Sequence, residues 1–569
     1  MAEVLLSPGV LANENNSTFI QQQPIQAGAA LLGPTVKGPV GIPTVCTSYS
    51  DYLNKFGAIV ESGSNEYTYF TSVAAYGYFQ QGGNTLLVTR IVSGSYTSAT
   101  SSIIANSDTS ASFTLETIAE GAVQNSTSTE GSAGQLADGT RDNLRWEVVS
   151  PNTSSGTFSL LIRRGDDIRT SKTVLETWTD LSLDPNASNY ISRVIGDQSL
   201  TVRQDGSTYY TQLSGSYANA SRYVRVKSVA TPTLNYFDNA GTAKSAFTSS
   251  IPVAASGAFG GALGTDFNGI TANFNENINS TNTQGLVADN YTTSLNLLAN
   301  QDEYKYNLIV APGLYNVDYS SPLTTMVNNS QTRGDNIAVI DMVKYGQTIT
   351  SVTTQAAGKD SSYAATYWPW VQTIDPDLGD QVWVPASTMI PGVYAFNDNS
   401  SEAWFAPAGL SRGGLSTVIR AERKLTNGNR DTLYQANVNP IATFPNAGVV
   451  VFGQKTLQKK ASATDRVNVR RLLIELKSYI SQIADNLVFE QNTIATRNNF
   501  LSQVNPYLES VQQRQGLYAF KVIMDETNNT PDVIDRNQLV GQIFIQPTRT
   551  AEFIYLDFNI LPTGATFPA

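Results

Sequence analysis

Apolar residues at helical spacing dominate the last quarter of the chain, from about Asn439 to Leu561. Val469, Leu472, Leu473, Leu476, Ile480, Ile483 and Leu487 fall on one stripe of about 100° at 3.6 residues per turn. A second helical run carries Ile494, Leu501, Val504, Leu508 and Val511 on one side. Pro506 lies within it and predicts a kink or a restart, because proline lacks the N–H and its ring clashes with the preceding turn. Three strand-like runs follow: GLYAFKVIMD, LVGQIFIQP and AEFIYLDFNI. In the last, Ile554, Leu556, Phe558 and Ile560 alternate onto one face. Two long helices and a sheet in one span place a core here.

Upstream, residues 24–95 predict strand, helix and strand. AGAALLGP, GIPTVCTS and NTLLVTRIV are apolar runs of strand length. SYSDYLNKFG predicts a short helix capped by Ser50 or Asp51 and closed by Gly57. YTYFTSVAAYGYFQQGG predicts a second, closed by Gly82 and Gly83. From about Ser95 to Asn300 the composition turns to Ser, Thr, Asn and Gly, with lysine only at 172, 227 and 244. Short alternating runs there (NLRWEVVS, FSLLIRRG, RYVRVKSV) predict one or two all-β domains. Beyond Asp302, EYKYNLIVAPG and IAVID predict two parallel strands joined by a helix from about Tyr319 to Thr332. A further helix is expected near Ser387 to Asn399.

The expected fold class is therefore a multidomain α/β or α+β architecture. Its core is built from both ends of the chain, with inserted β domains and extended terminal arms. The expected divisions are 1–22 (arm), 23–95 (core, first part), 96–300 (inserted β-rich outer domains), 301–545 (core, second part, with the two long helices) and 546–569 (terminal strand and arm). Read from its residues alone, 1–22 is a tail, since its apolar residues (Val4, Leu5, Leu6, Val10) are too few to fold by themselves. An extended segment of this kind can also add a strand to an exposed sheet edge.

Composition narrows the chemistry. The 569 residues carry a net charge of −11, and charged residues make up 15%, against roughly 25% in soluble domains. The acidic balance argues against nucleic-acid binding. Histidine is absent, which removes the Ser-His-Asp and Cys-His catalytic arrangements and most zinc sites. The single cysteine, Cys46, lies in an apolar context and reads as a core residue. No signal peptide or 18-residue apolar run is present, so no membrane insertion is expected. No Walker loop, dinucleotide fingerprint or nucleophile elbow occurs, and no enzyme activity, cofactor or metal is expected. Tyr367, Trp368, Pro369 and Trp370 could form a carbohydrate platform, but packed aromatics at a proline turn read first as core. The run DPDLGD (Asp375 to Asp380) lacks the glycine placement and terminal Glu of a calcium loop.

One local charge reversal stands out. Seven basic residues from Lys455 to Lys477 face two acids, Asp465 and Glu475. Arg466, Arg470 and Lys477 lie within about 40° of one another along a border of the apolar stripe. The ordinary reading is a solvated face; the alternative is docking to an acidic partner.

Several strings, taken in order, resemble contractile-tail sheath proteins: LLSPGV (Leu5 to Val10), YWPWV (Tyr367 to Val371), VPAS (Val384 to Ser387), APAG (Ala406 to Gly409), NPIATFP, VVVFG, VNVRRLL, FEQN and the DETNN–TPDVID segment. The resemblance implies a structural subunit that polymerises helically around an inner tail tube and contracts to drive the tube through a target envelope. It implies as partners further copies of the chain, the inner tube, and baseplate and tail terminator proteins, in a virion tail assembled in host cytoplasm. It implies that Lys459, Lys460, Arg466, Arg470 and Arg471 meet an acidic tube. It also implies that the two termini, through Val4, Leu5, Leu6 and Val10 and through Ile554, Leu556, Phe558 and Ile560, join neighbouring sheets. The competing reading is a β-rich surface adhesin or glycan-binding protein. A phage and a related injection machine are not distinguished by these strings.

Overall fold

The computed structural model describes residues 25–62, 65–127, 129–264, 273–287 and 290–555. The expected N-terminal arm, with Val4, Leu5, Leu6 and Val10, lies outside the described residues, as do Leu556, Phe558 and Ile560.

The first stretch holds strands β1 (Ala29–Gly33) and β2 (Thr44–Cys46), helices α1 (Tyr49–Phe56) and α2 (Phe70–Gln80), and strand β3 (Leu86–Arg90). Ser48, rather than Ser50 or Asp51, caps α1: its side chain accepts from the Asp51 amide at 3.1 Å. Gly57 closes the helix at φ 76°, a left-handed conformation open to glycine at little cost.

Beyond residue 300 the chain adds β4 (Leu308–Tyr315), α3 (Ser320–Arg333), β5 (Ile337–Asp341) and β6 (Ala364–Ala365). These strands join the first set in one six-stranded sheet, ordered β6-β5-β4-β1-β3-β2. All neighbours are parallel except β2 on β3. The seam between the two halves is β1 on β4, with Ala30 opposite Ile309 and Leu31 opposite Val310. Every residue of β1, β3, β4 and β5 is buried, as expected of a parallel sheet covered on both faces. Helix α4 (Ala386–Ser400) crosses α2 at a glycine pair. A Cβ on Gly392 would stand 2.7 Å from the Gly77 carbonyl, so only glycine lets the two backbones approach so closely.

Between β3 and β4 a separate antiparallel sheet rises from residues 98–260, eight-stranded among the described residues. It has its own core, which includes Phe113, Leu115, Trp146, Phe158, Leu160 and Val226. Three ties fasten it to the main core. Lys37 pairs with Asp142 at 3.0 Å. Arg90 donates to the Glu120 carbonyl at 2.7 Å, while the Glu120 carboxylate accepts from the Val40 amide at 3.0 Å. The hairpin Ser199–Asp205/Thr208–Ser214 reaches back so that Thr211 meets Glu303. Residues 274–298 were expected in the β-rich insert. The described part of this stretch packs instead into the main core: Phe274, Tyr291, Leu295 and Leu298 are buried there, and Phe274 meets the rings of Tyr67, Tyr69 and Phe70. Aromatic burial outweighs the polar composition around them.

The C-terminal region holds α5 (Val467–Asp485), α6 (Ile494–Gln513) and a two-stranded antiparallel pair, β7 (Leu517–Ile523) and β8 (Gln542–Pro547). Helix α6 runs through Pro506 as one continuous helix, so the restart that the proline allowed does not occur. An interior proline costs about 3 kcal/mol. Val504, Leu508 and Val511, all fully buried on the opposite side, each return about 1.5–3 kcal/mol, which is enough to hold one continuous helix. The run from Ala551 is not a strand over the residues described: 551–555 carry no strand pairing there.

Candidate interaction surface

The basic residues around α5 divide by burial. Arg470 and Arg471 were expected to meet a partner, but both are buried, at 7% and 6% exposure. The N-terminal half of α5 is wrapped on several sides, so the border of its apolar stripe is interior. Arg470 lies 4.1 Å from the Tyr363 ring centre and donates to Ser362 Oγ at 2.5 Å. Burial, partly offset by Tyr363, lowers its pKa. Arg471 donates to Asp398 Oδ2 at 2.5 Å and sits over the Tyr394 ring. There burial works against the charge, but Asp398 outweighs it and the pKa rises. Arg466 grips Glu552 with Nε at 2.7 Å and a terminal nitrogen at 2.9 Å, and also pairs with Asp465 at 3.2 Å. None of the three arginines is a free surface cation.

Lys459 and Lys460 do stand exposed, just before α5, and so does Lys477 on its outer side. The Lys459 amide donates to Asp360 Oδ1 at 2.9 Å, which fixes the loop while leaving the ammonium free to reach outward. Lys477 Nζ reaches Tyr363 Oη at 3.5 Å. Among the described residues no carboxylate pairs with these three ammonium groups.

A second surface is the β7–β8 pair. Neither outer edge is taken by another strand among the described residues. Tyr518 and Phe544 project from it, 63% and 55% exposed. An open edge presents a row of unpaired backbone donors and acceptors, a template for an added strand. Past β8, Phe553, Ile554 and Tyr555 are largely exposed. Of the expected C-terminal arm residues, only Ile554 falls among those described.

Other groups singled out in the sequence are structural. Tyr367, Trp368 and Trp370 are buried; the Tyr367 hydroxyl meets that of Tyr394 at 2.8 Å, and the Trp370 indole donates to the Val343 carbonyl at 3.2 Å. They offer no platform for a sugar. Asp375 Oδ1 accepts from the Asp377 and Leu378 amides, and Asp377 accepts from the Tyr49 hydroxyl at 2.8 Å. Among the described residues no group of three or more His, Cys, Asp or Glu could hold a metal ion. Cys46 is buried, and burial pushes its thiol up to about 12. No helix among the described residues is long and apolar enough to cross a membrane.

The chain thus combines a two-halved α/β core with a β insert and a two-stranded pair whose outer edges are open among the described residues, and comparison with known proteins finds sheath proteins. Residues 284–457 match the phage tail sheath protein central domain, and residues 459–561 match the phage tail sheath C-terminal domain. Over these two segments, just under half of the chain together, the chain is similar to phage tail sheath proteins. It is 43% identical over 185 residues to the tail sheath protein of Vibrio phage KVP40, covering 32% of this chain and 28% of that protein. It is 36% identical over 248 residues to the tail sheath protein of Enterobacteria phage T4, covering 44% and 37%. The chain thus spans about a third of the length of these relatives. Its fold is similar to a sheath tail protein from Listeria innocua, with a TM-score of 0.52 at 12% identity over 92% of this chain and 95% of that one.

Proposed function

We propose that this protein is the structural subunit of a contractile tail sheath, a virion tail component assembled in host cytoplasm. Many copies wrap an inner tube in a helical array, and the array contracts to drive the tube through a target envelope. The observation that carries this reading is the open β7–β8 pair within a C-terminal region that matches the sheath family. Its two edges, unpaired among the described residues, suit strands contributed by neighbouring copies, through the segment with Val4, Leu5, Leu6 and Val10 and the segment with Ile554, Leu556, Phe558 and Ile560. Each added backbone hydrogen bond contributes about 1 kcal/mol net, and repetition along a polymer multiplies it. A heterologous, non-closing contact of this kind builds tubes. Lys459 and Lys460 are the residues we assign to an acidic inner tube. Baseplate and tail terminator proteins would bound the array. Contraction then proceeds as rigid-body motion of subunits, with no nucleotide and no catalysis.

Negative-stain electron microscopy of the full chain, with and without the tube protein, tests this. Hollow tubes that are lost on deleting residues 1–22 are the expected result. Dispersed particles under both conditions would overturn the reading.

A further inference from the structure

The path of the chain after β8 is held in an unusual way. Thr548 makes a backbone bond to the Gly516 carbonyl at 3.1 Å. From there to Tyr555 no strand pairing among the described residues supports the segment. Residues 549–553 line a cleft of about 570 Å³ together with Ser462, Asp465, Asn468 and Val469.

The side-chain ties converge on one carboxylate. Glu552 accepts two bonds from Arg466, at 2.7 and 2.9 Å, one from the Tyr434 hydroxyl at 2.8 Å, and one from Gln454 Nε2 at 3.1 Å. The same Gln454 amide also reaches Thr550 Oγ1 at 2.6 Å. Bidentate arginine–carboxylate geometry fixes direction as well as distance. Three separate elements supply the partners: the turn before α5, the helix Asn427–Gln435, and the loop after the strand Gly448–Val451. The next three residues are large, apolar and exposed.

We propose that Glu552 is a positioning residue: its clasp by Arg466, Tyr434 and Gln454 fixes the point and direction at which the C-terminal segment leaves the subunit body. The clasp stands on this chain's own geometry. Its use in aiming the segment at a second copy rests on the sheath reading above.

Spin-label mobility separates the two. Cys46 is buried, so a single cysteine introduced by Phe553→Cys can be labelled selectively in the full chain. The expected nitroxide spectrum is restricted. Glu552→Gln should sharpen it severalfold in correlation time, and Tyr434→Phe by a smaller step, with unchanged circular dichroism. Glu526→Gln, an exposed acid outside the clasp, should leave it unchanged. An equally restricted spectrum in Glu552→Gln and the parent overturns the clasp. Tube formation in the microscope is the second readout. If the parent forms tubes, E552Q should form fewer or disordered ones; ordered tubes from E552Q with a released label overturn the aiming role. If no variant forms tubes, the sheath reading fails, while the spectra still decide the clasp.

Discussion

Arg471 and Asp398 join α5 to the end of α4, 2.5 Å apart, with the guanidinium lying 4.7 Å from the Tyr394 ring centre. The arginine is buried and the aspartate more than a third exposed, so the pair seals the edge of the interface rather than its centre. Asp398→Ala would leave a buried guanidinium without its anion, and it should cost about 2–3 kcal/mol. Arg471→Ala should cost more, since it also empties volume. Urea unfolding midpoints check both.

Lys459 and Lys460 should behave in the opposite way. Charge reversal of both is expected to leave stability within about 0.5 kcal/mol, because neither ammonium has a carboxylate partner among the described residues. Co-sedimentation with purified tube protein should weaken, and the parent interaction should weaken with added salt. Unchanged co-sedimentation would remove these lysines from the tube-facing surface.

Pro506 is exposed, while the buried residues of α6 lie on the other side. Pro506→Ala removes no core contact and restores an amide that can reach the Ser502 carbonyl. The midpoint should rise by about 1 kcal/mol or more. A fall would mean that the proline shapes the helix in a way its neighbours need.

Asp341 ends β5 and accepts from the Ser387 hydroxyl at 2.5 Å and the Ser387 amide at 3.2 Å. Burial raises its carboxyl to about 7, with the Ser387 bonds opposing. An unfolded Asp titrates near about 4. Between these values the folded state binds the extra proton, so this group makes stability fall as pH rises from about 4 to about 7. Asp341→Asn should remove that fall. Urea midpoints at pH 4.5 and pH 8 for both proteins decide it; parallel pH dependence would sink the assignment.

The core strands were readable because a parallel sheet buried on both faces leaves unbroken apolar runs such as NLIVAPG and IAVID. Helix α3 was readable from the gap between two such runs. The arginines were not. A helical wheel sorts Arg470 and Arg471 against their own helix, but what buries them comes from elsewhere in the chain: Ser362 and Tyr363 after α3, and Tyr394 and Asp398 on α4. Periodicity carries no record of a second layer that far away in sequence. The same holds for residues 274–298, where Phe274 sits in an Asn-rich stretch. The aromatic run YTYF (Tyr67 to Phe70) was the only trace of a site waiting to receive it. Glu552 gave no sign, since one acid near a chain end looks like any solvated charge.

The β insert is fastened to the core through Lys37, through Arg90 with Glu120, and through the hairpin that reaches Glu303. A body pinned at one point swings; each further tie restricts that swing. A load applied to the outside of the insert therefore has a polar path into the six-stranded sheet, through Arg90 at the end of β3.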